Sequence, residues 1–446
     1  MANTVTFLSL GCDKNLVDSE HMLGLLNEGG FVLISEEDKA DVIIVNTCCF
    51  IDDAKQESID SILEVAQYKK TGNCKALIVT GCMAERYKTE LLEEMPEVDA
   101  VVGTTSYDKI VHIARNVLDQ NEVKQHFEDV NRPHLENMPR VLTTGGYFAY
   151  IKIAEGCNSH CTYCIIPSLR GQYRSRPKEK IVEEVMQLAE DGVSEIILVA
   201  QNTTMYGIDK GYTLTNLLQE LSDIDGIEWI RILYCYPENI TDELIEEIKV
   251  NSKVCKYLDI PIQHSSDQIL KRMNRKSSNA FLKQLIQKLR DNIPNIMIRS
   301  TLIVGFPGET EEDFNNLIDF VKETKLDRLG VFTYSQEEGT PAAKLANQID
   351  EHIKESRKNT IMKIQQEISK QICATKVGKI FRVLIEGKLE KEDVYIGRTY
   401  GDAPVVDSKV FVEYEGDLMC GDFISVKITQ ADEYDLIGEV VYEYCE

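Results

Sequence analysis

Three cysteines near the middle of the chain, Cys157, Cys161 and Cys164, follow the pattern Cys-x-x-x-Cys-x-x-Cys. One short loop with this spacing can turn three thiolates towards a common centre. Three thiolates on a cubane iron–sulfur cluster leave one iron open, and an open iron can bind a small molecule. A structural zinc site would need a fourth ligand, and His160 is not at a zinc-finger spacing. The pattern therefore favours an iron–sulfur cluster with an open iron.

Three further cysteines in the first 100 residues each follow a short apolar run. They are Cys12, Cys48 and Cys82, separated by 36 and 34 residues, about one strand–helix–strand unit each. Parallel strands place their carboxyl ends at one edge of a sheet, where open α/β sheets bind ligands. A single cysteine is usually a small packing residue, but three at equivalent strand ends favour a shared ligand site.

The first of the predicted domains covers residues 1–120, where apolar runs alternate with amphipathic segments, as is typical of an open parallel α/β sheet. We expect helices over Asp18 to Leu26 and Ile51 to Tyr68. Segments containing Asn and Pro interrupt the pattern in residues 121–145, which we interpret as an inter-domain linker. The predicted strands are Val5 to Leu10, Val42 to Val45 and Ala76 to Val79.

Residues 146–373 form the largest predicted domain, in which six strand-like runs alternate with helical patterns. This order predicts a partial (β/α) barrel with the cysteine-rich loop directly after its first strand. A long polar helix is expected to leave the barrel over Glu351 to Ile372. The predicted strands are Phe148 to Ala154, Glu195 to Ala200, Trp229 to Leu233, Tyr257 to Ile262, Met297 to Val304 and Leu329 to Tyr334.

Residues 375–446 change to short β-rich runs, which predict a small antiparallel β-barrel. This tail holds 8 basic and 16 acidic residues, a net charge of −8. An acidic barrel is poorly suited to RNA phosphates and better suited to a basic protein, although surface acid that only maintains solubility is a second explanation. The predicted strands are Ile380 to Ile385, Val394 to Ile396, Val410 to Tyr414, Phe423 to Ile428 and Leu436 to Tyr442.

The composition of the 446-residue chain is ordinary for a soluble globular protein, with 43% hydrophobic and 28% charged residues. The chain has neither an apolar run of about 18 residues nor a secretory signal at its start, so we expect a cytoplasmic protein without membrane contact. Its 13 cysteines are too few for a disulfide scaffold. The net charge of −25 argues against broad affinity for nucleic acid, but it is compatible with a local basic groove.

The loop from Glu155 to Cys164 resembles the cluster-binding loop of radical S-adenosylmethionine enzymes, which follows the first strand of a (β/α) barrel. The resemblance implies that Cys157, Cys161 and Cys164 bind a 4Fe-4S cluster. The open iron of that cluster would hold S-adenosylmethionine. An electron from reduced flavodoxin or ferredoxin would then cleave the sulfonium to methionine and a deoxyadenosyl radical.

The N-terminal cysteines resemble the ligand sites of methylthiotransferases, a subfamily that carries a second 4Fe-4S cluster. The resemblance assigns Cys12, Cys48 and Cys82 to this auxiliary cluster. Cys49 stands where the family usually has Gly or Ala, which leaves open whether Cys48 or Cys49 binds iron, and alignment with the motif favours Cys48. The tail resembles the TRAM domain that ends these enzymes, so the resemblance covers essentially the whole chain.

Methylthiotransferases comprise a branch that modifies a ribosomal protein and a branch that modifies transfer RNA. Resemblance to the former implies methylthiolation of an aspartate β-carbon in the twelfth small-subunit ribosomal protein, free or in the subunit, with two S-adenosylmethionine molecules. Asn202 departs from that branch, which has Asp there. One alternative is a transfer-RNA adenosine methylthiotransferase, and a more distant one is a non-enzymatic iron–sulfur scaffold or electron carrier. The segments that resemble the ribosomal-protein branch are Ser9 to Glu20, Pro261 to Ser266, Tyr334 to Pro341 and Gly401 to Pro404.

Four residues at the predicted barrel mouth are candidates for contact with S-adenosylmethionine. Gln201 and Asn202 end the second barrel strand, where turn chemistry explains Asn equally well. Gly305 and Gly308 lie in a turn that the family places beside the adenosine, and a tight strand-to-helix turn is the alternative. His264, after the fourth strand, could contact cofactor or substrate, or be structural. We expect no catalytic residue beyond the cluster ligands, because an unactivated C–H bond offers a side-chain base no acidic proton.

Overall fold

The computed structural model describes residues 2–120, 124–390 and 392–441. Two open parallel sheets are followed by a closed five-stranded barrel, which confirms the predicted α/β fold class and its three parts. Helices connect the parallel strands, because a parallel pair cannot be joined by a tight turn. None of the described helices has the length and apolar character that crossing a membrane requires.

The first sheet consists of six parallel strands: β1 (Thr4–Ser9), β2 (Val32–Leu33), β3 (Val42–Thr47), β4 (Ala76–Gly81), β5 (Ala100–Val102) and β6 (Gln125–His126). Their order across the sheet is β2-β1-β3-β4-β5-β6. The central strands β3 and β4 are buried along their whole length, which explains their nearly continuous apolar sequences. Strand β6 falls within the segment 121–145 that we interpret as a linker, of which 121–123 lie outside the described residues.

The helices of this domain cover both faces of the sheet: α1 (Asp13–Glu28), α2 (Asp52–Ala66), α3 (Tyr68–Thr71), α4 (Cys82–Tyr87), α5 (Thr89–Glu94) and α6 (Ile110–Leu118). Helix α1 begins five residues earlier than Asp18, the start that the sequence predicts. Asp13 lies in its first turn, where a carboxylate is favourable beside the free N–H groups. Because the helix starts earlier, Cys12 lies directly before it, at the N-cap position.

The second sheet and the ribbon beside it contain eight strands: β7 (Phe148–Lys152), β8 (Ala154–Glu155), β9 (Arg174–Ser175), β10 (Glu195–Val199), β11 (Trp229–Ile232), β12 (Val254–Asp259), β13 (Met297–Val304) and β14 (Arg328–Thr333). Six of them form a parallel sheet in the order β14-β13-β12-β11-β10-β7, and β8 pairs with β9 in a separate ribbon. The order follows the chain, and its end strands β7 and β14 do not pair, which confirms a partial barrel.

The helices of the second domain include the long polar helix that the sequence predicts, α14. They are α7 (Ile166–Arg170), α8 (Lys178–Glu190), α9 (Leu214–Ser222), α10 (Asp242–Val250), α11 (Asp267–Arg272), α12 (Asn279–Asn292), α13 (Glu311–Thr324) and α14 (Glu351–Ala374).

The closed barrel consists of β15 (Ile380–Lys388), β16 (Val394–Thr399), β17 (Val410–Glu413), β18 (Phe423–Ala431) and β19 (Leu436–Val440), in the order β15-β16-β17-β19-β18. Four of its strand pairs are antiparallel, as predicted, whereas β17 and β19 run parallel. The parallel pair has a geometric cause. Five strands cannot alternate in direction all the way around a closed ring, so one neighbouring pair must point the same way.

Alternate residues of the second sheet face two different cores, as the period of a strand requires. Ile196 and Leu198 pack under the surrounding helices, whereas Ile197 and Val199 face the concave side of the partial barrel. The concave cluster also contains Val17 of the first domain and Leu384 and Ala403 of the closed barrel. All three domains therefore share one apolar contact region inside the partial barrel.

Candidate functional site

Backbone hydrogen bonds to two neighbouring elements fix the conformation of the central cysteine loop. It leaves the short strand β8 at Gly156, whose φ of +82° suits glycine, and a Cβ there would clash with the carbonyl oxygen of Gln172. The N–H of Cys157 donates to the carbonyl of Gly171 (3.1 Å), and the N–H of Thr162 donates to that of Met273 (3.0 Å). Backbone contacts with two neighbouring elements thus fix the path of the loop.

Of the three central cysteines, Cys161 is buried, whereas Cys157 and Cys164 are partly exposed. The Sγ of Cys161 lies 3.8 Å from the hydroxyl of Tyr236, while the N–H of Ser159 donates to Cys157 Sγ (3.4 Å). Burial raises the pKa of the Cys164 thiol to about 12, and the neighbouring thiols of Cys161 and Cys157 add to this shift. The sulfurs of Cys157 and Cys161 are therefore close enough to Cys164 to disfavour its thiolate.

The N-terminal cysteines all lie at the carboxyl edge of the first sheet, as the sequence predicts. Cys12 precedes α1, Cys48 follows β3 directly, and Cys82 opens α4 directly after β4. Burial raises the pKa of the Cys48 thiol to about 12, and the thiols of Cys82 and Cys12 raise it further. The fold brings together three residues that are far apart in sequence.

Asn15, in the first turn of α1, connects the three strand ends. Its Nδ2 donates to the carbonyl of Thr47, directly before the second cysteine (3.0 Å), and to that of Leu10, just before the first (3.2 Å). Its Oδ1 lies 3.9 Å from Cys82 Sγ. One buried amide therefore contacts all three arms of the N-terminal site.

Cys48 and Cys49 have different surroundings. A Cβ on Gly11 would lie 2.6 Å from Cys48 Cβ, so the Cys12 arm passes directly over Cys48. Cys49 is fully buried in an apolar cluster, and its carbonyl accepts a hydrogen bond from Arg86 (3.2 Å). This geometry favours Cys48 as the third member of the N-terminal site and Cys49 as a packing residue.

The donor chemistry of both trios fits a multinuclear cluster better than a single ion. Among the described residues, no group of three His, Cys, Asp or Glu side chains is arranged to hold one metal ion. A 4Fe-4S cluster differs, because each thiolate binds its own iron and the ligands stand further apart. Thiols whose pKa is raised by burial lose their protons when a metal binds, so both trios can supply three thiolates each.

A buried network of ion pairs lies between the two trios and connects them. Lys152 pairs with Asp18 of α1 and with Glu155 (2.9 Å), and Glu155 also accepts from Arg170 (3.3 Å) and Gln201 (2.6 Å). Burial opposes ionisation of Glu155, but Lys152 and Arg170 outweigh it and hold the pKa of that carboxyl well below its usual range. The network ties the first domain to the strand that leads into the central loop.

Gln201 and Asn202 both lie at the carboxyl end of β10, as predicted, but they differ in what they offer a ligand. Asn202 is almost fully buried and satisfied, since its Oδ1 accepts from Thr204 (2.9 Å) and its Nδ2 donates to Asn239 (3.3 Å). Gln201 donates through Nε2 to Glu155, while its buried Oε1 has no hydrogen-bond partner in the described structure. The free oxygen is a position for a ligand donor.

Gly305 and Gly308 lie in a turn covered by the protein itself. Both have positive φ, +73° and +79°, and a Cβ would clash with Lys354 at Gly305 and with Arg272 at Gly308. Glu309 closes the turn by accepting from the N–H groups of Gly305 and Phe306. Packing within the protein accounts for both glycines, and their contact with S-adenosylmethionine stays a prediction.

His264 is buried directly behind this turn. Burial lowers its pKa to about 3, so the ring is neutral. Its Nδ1 accepts from the N–H of Ser266 (2.9 Å), and its Nε2 lies 4.0 Å from Glu309 Oε2. These contacts favour the structural explanation of His264.

Sequence patterns did not identify Lys152, Arg170 or Asn15 as residues of the site. Lys152 could have been predicted, because a lysine inside the apolar run from Phe148 to Ala154 needs a buried acidic partner. Arg170 could not, since nothing local shows that a helix end after the cysteine loop meets another domain. Asn15 and Asp18 lie in the segment from Ser9 to Glu20, which the resemblance singled out, and the sequence pattern gave Asp18 only as the start of a helix.

Comparisons with known proteins divide the chain in the same way as the fold. Residues 4–103 match the family described as Uncharacterized protein family UPF0004. Residues 151–321 match the Radical SAM superfamily, and residues 377–441 match the TRAM domain.

Full-length relatives share one description, ribosomal protein uS12 methylthiotransferase RimO. The protein of that name from Lachnoclostridium phytofermentans is 56% identical over 436 residues, which cover 97% of this chain and 99% of the relative. The one from Clostridioides difficile is 53% identical, with 98% of both chains covered. The one from Acetivibrio thermocellus is 50% identical, with 99% of both covered.

Solved structures with a similar fold include a radical S-adenosylmethionine methyltransferase, TsrM, from Kitasatospora setae, with cobalamin and a [4Fe-4S] cluster bound. Its TM-score is 0.55 at 15% identity, with 77% of this chain and 74% of that chain covered. The cobalamin-dependent S-adenosylmethionine radical enzyme OxsB gives 0.50 at 13% identity, covering 83% and 56%. At such identities the likeness concerns the fold alone.

Proposed function

The chain belongs to the ribosomal protein uS12 methylthiotransferases of the RimO family, and we propose that it attaches a methylthio group to the β-carbon of an aspartate in uS12. The observation that carries this proposal is the pair of cysteine trios on either side of one buried interface. It occurs in a chain that is 56% identical to a protein of that name over nearly its whole length.

We assign Cys12, Cys48 and Cys82 to an auxiliary 4Fe-4S cluster and Cys157, Cys161 and Cys164 to a radical 4Fe-4S cluster. When bound, the two clusters and S-adenosylmethionine supply reductive cleavage of a sulfonium and a methylated sulfur for transfer. The chain's own task is to hold the thiolates, orient the groups and exclude water.

Several residues are placed for that task. Tyr236 can donate its hydroxyl to the sulfur of Cys161, and Gly156 provides the bend from which the radical loop starts. Gln201 offers its unpartnered Oε1 at the barrel mouth, which makes it our first candidate for contact with S-adenosylmethionine, ahead of Asn202. No side-chain base needs to take the substrate proton, since the family's chemistry breaks the C–H bond by a radical.

The charge of the chain supports a basic protein substrate over transfer RNA. The C-terminal tail carries a net charge of −8 and would repel phosphates, whereas a basic ribosomal protein would be attracted. The relatives at 50–56% identity carry the ribosomal-protein description, so the transfer-RNA alternative is not favoured. We further infer a cytoplasmic enzyme that receives its electron from reduced flavodoxin or ferredoxin.

A substrate assay under anaerobic conditions tests the proposal. The protein is reconstituted with iron and sulfide, supplied with S-adenosylmethionine and a reductant, and offered either uS12 or transfer RNA. We expect uS12 to gain the mass of a methylthio group in place of one hydrogen, located by tandem mass spectrometry on an aspartate. Modification of transfer RNA alone, or deoxyadenosine formation with neither product, would overturn it.

A further inference from the structure

A single short helix connects the two cysteine sites. Helix α7 starts two residues after Cys164, the last thiol of the radical loop, and ends at Arg170, whose guanidinium donates to the sulfur of Cys82 in the other site (3.5 Å). The preceding carbonyl, of Leu169, accepts from Thr104 of the first domain (2.8 Å). The C-terminal end of α7 is thus seated in the first domain while its start belongs to the radical loop.

Arg170 makes four contacts from a buried position. Its Nη1 donates to Asp18 (2.7 Å) and Glu155 (3.3 Å), and its Nη2 donates to Asn15 Oδ1 (2.5 Å) as well as to Cys82 Sγ. Only 2% of the residue is exposed. A fixed guanidinium fork can satisfy such a set at once, whereas an ammonium could not.

The contact with sulfur is additional to what charge balance requires. Asp18 and Glu155 carry two negative charges, and Lys152 and Arg170 carry two positive ones, so the buried network is neutral without the thiol. Within the described part of the chain, Arg170 is the only Arg or Lys that donates to a cysteine sulfur of either trio. The hydrogen bond from Arg170 to Cys82 is therefore not needed to neutralise Asp18 and Glu155, and it needs a separate explanation.

We propose that Arg170 is a positioning residue for both cluster sites, which raises the reduction potential of the auxiliary cluster through Cys82 and fixes that cluster relative to the radical loop. A positive N–H group on a ligand sulfur stabilises the more negative, reduced form of a cluster. The ion pair to Glu155, two residues before Cys157, transmits the same placement to the radical site. The inference rests on the proposed function, because it takes Cys82 as a cluster ligand.

The test measures the auxiliary cluster alone. In the full-length chain with Cys157, Cys161 and Cys164 all changed to Ala, the remaining cluster is titrated electrochemically and followed by electron paramagnetic resonance. We expect Arg170→Gln to keep the iron content, to lower the midpoint potential and to change the resonance spectrum. Arg170→Lys keeps the charge but loses the fork, so it should shift the potential in the same direction by less.

Arg176→Lys is the matched control. Arg176 is equally buried and pairs with Glu136 and Glu184 (both 2.7 Å), but it contacts no cysteine of either trio. We expect it to leave the potential unchanged. If Arg170→Gln does not fold, Arg170→Lys decides: an unshifted potential and spectrum would overturn the proposal.

A second readout uses the chain with both loops intact. Because Arg170 fixes the distance between the sites, Arg170→Lys should raise the deoxyadenosine formed per methylthio group transferred several-fold, and an unchanged ratio would contradict the positioning role. Failure of the proposed function looks different. If the proposed function is wrong, Cys82→Ala keeps its full iron content. If only the Arg170 inference is wrong, Cys82→Ala still loses the iron of the auxiliary cluster.

Discussion

The two cysteine trios are similar in chemistry and opposite in construction. The radical trio lies in one loop, where Cys157 and Cys164 are seven residues apart and the backbone of neighbouring elements fixes the loop. The auxiliary trio has no loop of its own. Its members lie at the ends of separate elements, and Asn15 holds those ends together.

This difference shows what each site depends on. A contiguous loop keeps its thiols near one another whenever the chain is intact, whereas three strand ends meet only when the first sheet is folded. The radical site should therefore be sensitive to its own residues. The auxiliary site should in addition be sensitive to anything that moves β1, β3 or β4 relative to one another.

The largest expected effect separates the trios by activity. Cys157→Ala should reduce S-adenosylmethionine cleavage about 100-fold or more and abolish transfer, whereas Cys12→Ala should abolish transfer and leave cleavage in place. Deoxyadenosine and methylthiolated uS12 are quantified by mass spectrometry from the same reaction. Cys420→Ala, at an exposed cysteine of the closed barrel, is the control and should match the wild type. Equal loss of both products in both variants would remove the distinction between the sites.

A second prediction sharpens the membership of the auxiliary trio. Cys48→Ala should lose about half of the bound iron, because one of two clusters is gone. Cys49→Ala should keep all of it, while losing about 1 kcal/mol of unfolding free energy from the small cavity left in the core. Iron analysis and thermal unfolding measure the two effects. The reverse iron result would assign Cys49 as the ligand.

A third prediction concerns how rigidly the radical loop is built. Gly156→Ala combines a positive φ with a clash against the Gln172 carbonyl, so we expect a loss of more than about 2 kcal/mol and poor reconstitution of the radical cluster. Gly192→Ala is the matched control, since its φ is +97° with open space around the position. It should cost only the conformational penalty, about 1 kcal/mol, with normal iron content. Equal stability of the two variants would show that the loop can shift.

The last prediction concerns the pH dependence of stability, at a site away from both cysteine trios. Burial raises the pKa of Glu309 to about 7, and Arg357, which lies 3.2 Å from its carboxylate but donates to its carbonyl, does not offset this. The folded state thus holds the proton more tightly than the unfolded chain, so stability is full below about pH 4.5 and falls as pH rises through 7. Between pH 5 and 8 the wild type should lose on the order of 1–3 kcal/mol relative to Glu309→Gln. Thermal unfolding of both proteins across this range measures the difference, and parallel curves would contradict it.

Much of the fold followed from periodicity, because buried parallel strands and their connecting helices leave long, regular patterns. The six strands of the partial barrel and the three strand ends of the auxiliary trio were predicted from such runs. The parallel pair in the closed barrel was not, since strand direction around a ring depends on the number of strands and on their order.

The site was predictable where it is contiguous or where strand ends repeat. The network around Arg170 and Glu155 was not, because it depends on how two domains dock. The short helix that ends at Arg170 was not predicted, and neither were its contacts with the first domain. The sequence around Gly305 likewise does not show that Lys354 covers the turn. Contacts between elements distant in sequence carry no local period, so only the folded chain shows them.

The length of α7 has a consequence for how this enzyme can diverge. A helix advances 1.5 Å and turns about 100° with each residue. Inserting or deleting one residue between Cys164 and Arg170 would therefore swing the guanidinium to another side of the helix, away from both Cys82 and Asp18. We therefore expect the segment between Cys164 and Arg170 to tolerate changes of side chain but not of length. The five residues of α7 set both the distance and the orientation between the two cysteine sites.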